Sequence, residues 1–145
     1  MEKADRTVAH AAARVAALAL LVALTGCRGG QKIDYARPEP VGLTDGGVID
    51  IQVYRDVTTL EFTNTTARRF EDATVWLNQR FSRPVGTIEP GQSVTLPLRE
   101  FVDEFGDTFR AGGFFATRDP DPVVLAQLES GGVMYGLLLG GNRIK

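Results

Sequence analysis

Val48-Ile49-Asp50-Ile51-Gln52-Val53-Tyr54 decides the fold: Ile49, Ile51 and Val53 share one side of an extended chain, with Asp50 and Gln52 on the other. A period of two marks a half-buried strand, because successive side chains of extended backbone point to opposite faces. The same pattern continues along the chain. Thr58–Asn64 sets Leu60 and Phe62 against Thr59, Glu61 and Thr63. Val75 and Leu77 alternate with Trp76, and Val94, Leu96 and Leu98 with Thr95 and Pro97. Apolar runs at Phe114–Thr117, Val123–Glu129 and Val133–Leu139 bring the count to about seven strands. Turn chemistry separates them at Asn64-Thr65-Thr66, Ser130-Gly131-Gly132 and Glu89-Pro90-Gly91-Gln92. The last suits a type II turn, with Pro fixing φ at the first central position and Gly accepting positive φ at the second. The expected architecture is all-β: an antiparallel β-sandwich of about seven strands over residues 48–145.

One stretch breaks the alternation. In Arg99–Asp107, Phe101 and Phe105 stand four apart and Gly106 follows directly. That spacing predicts one short helical crossover, both rings on its core side and the glycine as its stop.

With 145 residues the chain suits a single domain. Its 16 basic and 18 acidic side chains give a net charge of −2, which argues against a nucleic-acid partner, since the phosphate backbone demands a basic face.

The N-terminus reads differently. Met1–Arg14 carries Lys3, Arg6 and Arg14 against Glu2 and Asp5, and Val15–Leu24 is wholly apolar. As a helix this run covers about 15 Å, half of a hydrocarbon core, so it suits a secretory leader and not a membrane span. Leu24-Thr25-Gly26-Cys27 follows at once. This tetrapeptide resembles the lipobox of bacterial lipoproteins: an aliphatic residue, a small one, Gly or Ala, then Cys. The resemblance implies that residues 1–26 are a signal peptide and that Cys27 receives a diacylglyceryl group and becomes the mature N-terminus. The protein is then held by lipid on the extracytoplasmic side of a bacterial cell envelope. The two acids leave this leader less basic than is usual for that family. Residues 27–47 contain Gly29-Gly30, Pro38-Glu39-Pro40 and Asp45-Gly46-Gly47, which predicts a lipidated, flexible tether. The alternative is an N-terminal strand built from Lys32–Tyr35.

Removing the leader takes away Lys3, Arg6, Arg14, Glu2, Asp5 and His10, leaving 13 basic and 16 acidic side chains and no histidine. The one cysteine is Cys27. No His/Cys set remains for zinc or copper, and neither Ser-His-Asp nor Cys-His chemistry is available. The expectation is no metal, no cofactor and no enzyme. Asp103, Glu104 and Asp107, with Asp119 and Asp121 around Pro120, lack the spacing of a calcium loop and read as solvated loop acids.

Trp76 falls on the opposite side of its strand from Val75 and Leu77, and Val133–Leu139 is apolar on both faces. Trp76, Met134 and Tyr135 therefore belong either to the core or to a partner surface. Over residues 48–139 the chain resembles the small immunoglobulin-like modules of bacterial envelope lipoproteins in strand count, length and Pro-Gly turn, without the Cys-Trp-Cys signature. The resemblance implies a non-enzymatic interaction or structural module presented to an envelope protein. The alternative is a small-ligand-binding lipoprotein with a pocket in the sandwich.

Overall fold

The computed structural model describes residues 34–142; the leader 1–26, Cys27 and residues 28–33 lie outside them. The strands are β1 (Thr44–Asp56), β2 (Thr59–Thr63), β3 (Phe70–Leu77), β4 (Phe81–Ile88), β5 (Ser93–Pro97), β6 (Ala126–Ser130) and β7 (Val133–Asn142). All seven belong to one mixed sheet of order β4-β3-β6-β7-β1-β2-β5, curled into a half-barrel. Every neighbouring pair is antiparallel except β1 and β7, which run parallel from Thr44↔Val133 to Arg55↔Asn142. The two facing antiparallel sheets of an immunoglobulin-like sandwich are thus replaced by a single bent one. The chain leaving β5 makes a 3₁₀ turn at Leu98–Glu100, then Val102 exchanges backbone hydrogen bonds with Ser82 of β4 at 2.8 and 3.1 Å. One edge of the sheet is joined to the other by this bridge.

Alternation holds where the sequence shows it. Ile51, Val53, Leu60, Phe62, Val75, Leu77, Val94 and Leu96 are all buried on the concave side, and Leu98, Phe101 and Phe109 close the core from the connecting segment. The turns follow their residues. Gly91 has φ +76° and Gln92 N–H donates to Glu89 O, as the Pro-Gly sequence requires. Asn78 and Gln79 both adopt positive φ at the centre of a turn closed by Arg80 N–H to Leu77 O in the three-residue β3–β4 loop, and that left-handed turn matches the twist of the strands. Asn64 is fully buried. Its amide donates to Arg68 O and Glu89 O while its Oδ1 accepts from the Thr66 amide and hydroxyl, so all its polar capacity is used.

Three expectations are corrected. The helical crossover is only the 3₁₀ turn: Asp103 Oδ1 takes the amides of Phe105 and Asp107, which folds the backbone into a tight turn in place of a helix. Phe101 is consequently in the core, 0% exposed, whereas Phe105 points to solvent at 82%. Phe114–Thr117 is a turn and no strand, and the missing strand is β4, hidden in the sequence by Pro84 and Gly86. Finally, β1 begins at Thr44, so residues 44–47 are sheet and not tether. Phe101→Ala should therefore cost about 3–5 kcal/mol in urea unfolding, against under about 0.5 kcal/mol for Phe105→Ala. Equal losses would return Phe105 to the core.

Candidate functional site

The three residues proposed for a partner surface do not share one face. Strand register places Val75, Leu128 and Tyr135 in one row, and Thr74, Glu129 and Met134 in a row on the other side. Tyr135 is half-buried on the concave side, edge-on to Phe70 at 5.5 Å. Trp76 lies on the convex side, yet it is wholly buried. Residues 34–43 make the difference. The Arg37 guanidinium sits 5.1 Å above the Trp76 ring and binds Glu129 Oε2 at 2.6 Å. The indole N–H donates to the same carboxylate oxygen at 2.7 Å. Upstream, the Tyr35 hydroxyl donates to Glu100 O at 2.6 Å, and the Glu100 carboxylate is held by Arg83. Read from its Pro and Gly content, this segment is a linker; in the structure it is a strap tied to the 3₁₀ turn through Tyr35 and to the sheet through Arg37. Arg37 is the signal that pattern reading missed, since a lone cation among prolines carries no periodicity.

Beneath the strap runs a groove of about 480 Å³. Pro40 and Leu43 of the strap, Val48, Leu125 and Met134 form its apolar wall, with Glu39 and Asp45 at its polar margin. Gln127 also lines it, and among the described residues its buried Oε1 has no hydrogen-bond partner. Burial pushes the Glu39 carboxyl up from its ordinary value. Met134 is the one proposed surface residue that the groove contains.

The loop acids are not all solvated. Asp103 is 1% exposed and is the hub of its turn: Arg80 donates to Oδ2 at 2.7 Å, and the amides of Phe105 and Asp107 fill Oδ1. Burial raises its pKa, but the hydrogen bonds from Arg80 and the two amides outweigh this and hold the carboxyl below the usual carboxylate range. Asp121 accepts from the Arg110 side chain and amide, which likewise lowers its pKa against a smaller effect of burial. Arg80 of the first pair and both members of the second border a polar cleft of about 640 Å³ that Arg118 and Asp107 also line. These carboxylates are ion-paired acceptors, committed to holding loops. Glu104 and Asp119 are exposed. Among the described residues no three Asp, Glu, His or Cys side chains gather as a metal-ligand set.

No protein-family model, no curated protein and no solved structure matches the chain.

The sign of the Asp103 contribution follows from linkage. A carboxyl whose folded pKa lies below its unfolded value of about 3.9 stabilises the fold fully above that pH, and the contribution fades as pH falls through the folded pKa. Asp103→Asn should therefore weaken the domain at neutral pH, and the gap to wild type should narrow below about pH 4. Urea unfolding across that range reads it. A gap independent of pH would remove the charge from the account.

Proposed function

We propose that the chain is a lipid-anchored protein of the bacterial cell envelope whose β domain is a non-enzymatic interaction module held close to the membrane. The observation that carries this reading is Leu24-Thr25-Gly26-Cys27 directly after a short apolar leader run. The strap adds geometry to it. With Tyr35 pinned to the 3₁₀ turn at Glu100, seven residues separate it from Cys27, and the eight Cα–Cα steps span at most about 28 Å even fully extended. A diacylglyceryl group supplies the two chains that stable anchoring needs. Wild type should fractionate with membranes, lack residues 1–26 and carry the added mass of lipid. Cys27→Ser should be released or persist as the unprocessed chain. Recovery of that variant in membranes as a processed form sinks the reading.

A second reading, a small-ligand binder, is favoured by the Gln127 acceptor in the groove. The site suits an apolar molecule with an N–H donor, its charge facing Glu39 and Asp45. n-Octylamine should raise the thermal unfolding midpoint of wild type and leave that of Gln127→Leu unchanged. Equal shifts in both would assign the effect to non-specific binding.

A further inference from the structure

Four loops share one end of the half-barrel: the β1–β2 turn, the β3–β4 turn, the 103–107 turn and the long segment 111–125. Side chains tie them together. Arg55, at the end of β1, donates to Ala111 O at 2.7 Å and Asp121 O at 2.6 Å. Asn78 donates to Pro122 O and accepts from the amide of Val124, and Arg80 holds Asp103. Gly113 backs so closely on Thr58 that an added Cβ would stand 3.2 Å from its methyl group. These loops form one platform.

Its tips are apolar. Val57, Phe105 and Val124 each stand out from a different loop, and Phe114 and Phe115 are 94% and 91% exposed. The two phenylalanines occupy the central positions of a tight turn closed by Ala116 N–H to Gly113 O, with their rings edge-to-face at 5.0 Å. Gly112–Thr117 carries no charge, and Arg110 and Arg118 flank it on either side.

We infer that this end of the domain enters the surface of a lipid bilayer, with Phe114 and Phe115 as the inserting tip. Aromatic rings favour the headgroup boundary, and a flanking guanidinium suits the phosphate level above them. The chain enters the domain at the same end: Tyr35 is bonded to Glu100 O, three residues past the end of β5. If Cys27 is lipidated, as proposed above, the short tether turns these tips toward the membrane that holds it. A fluid interface also fits better than a protein face. The tips are separate, and Glu104, Asp107 and Asp119 stand between them in the same loops, all exposed. Arg80 and Arg110 are each paired with an aspartate, so insertion depends on apolar contact and little on lipid charge.

Lipid on Cys27 consumes the only thiol, so Phe115→Cys in the full chain gives a unique site for an environment-sensitive nitrobenzoxadiazole label. Thr87→Cys, near the far end of β4, is the control. In phosphatidylcholine vesicles, nitroxide-bearing lipid should quench the label at 115 several-fold more than at 87, and 1 M salt should leave the difference in place. Equal quenching at both positions overturns the proposal. So does a label at 115 that is shielded from iodide in native membranes but not in protein-free vesicles, because that outcome assigns the tip to a protein partner. A wild-type chain that itself takes up the label would sink the lipidation reading alone. In that case the same pair of labels in a Cys27→Ser background still reads the tip, and selective quenching at 115 upholds it.

Discussion

The parallel pairing of β1 with β7 is the constraint on which the rest depends. It joins a β4-β3-β6-β7 half to a β1-β2-β5 half, and without it neither could enclose the core. Parallel strands need a long return connection, and here the return is the whole domain between Asp56 and Val133. The pair is made by reciprocal close approach. The Tyr135 ring of β7 lies so near Gly46 of β1 that an added Cβ would fall 2.3 Å from it, and the Tyr54 ring of β1 covers Gly140 of β7 so closely that a Cβ added there would fall 2.4 Å from that ring. Each strand gives up a side chain where the other contributes an aromatic ring, which packs the bare backbone and fixes the register. The Asp45-Gly46-Gly47 stretch that resembles a linker is the start of this seam.

What was legible in the sequence is what one strand encodes by itself. Ile51 and Val53, or Leu60 and Phe62, announce a buried face through their spacing, and Pro90-Gly91 announces its turn. Pairing partners are not encoded that way. A sandwich and a curled sheet need the same alternation, so the topology could not be read from it. β4 was illegible because Pro84 and Gly86 interrupt its pattern, and both are tolerated because β4 is an edge strand. The Phe101–Phe105 spacing fitted a helix, and the Asp103 carboxylate overrode it by capturing two amides. Trp76 was ambiguous for a related reason. Its burial depends on Arg37, 39 positions away in the chain and on a segment without pattern.

Arginine organises the irregular parts of the molecule. Arg37 fastens the strap, Arg55 the base of the long loop, Arg80 the 103–107 turn and Arg110 the far side of the same loop through Asp121. The planar guanidinium offers several donors in a fixed fork, so one side chain can satisfy two carbonyls, as Arg55 does, where ladder hydrogen bonds are absent. Segment 111–125 thus has a defined course without being a strand.

That arrangement separates what folds the domain from what the domain presents. Phe101 and Phe109 fill the core from the same connecting segment whose Phe105 faces solvent, and the next loop sends Phe114 and Phe115 outward while Arg55 grips its backbone. The outward rings bury almost nothing, so the apolar term that stabilises the fold does not include them. The base of their loop, by contrast, is held by hydrogen bonds to Ala111 O and Asp121 O from Arg55 at the end of β1, and to Pro122 O from Asn78 just past β3. An apolar tip on a fixed base meets its counterpart without ordering a mobile loop, and so avoids the entropic cost that ordering would carry. The part of the molecule most available for contact is therefore also the part whose alteration disturbs the sheet least.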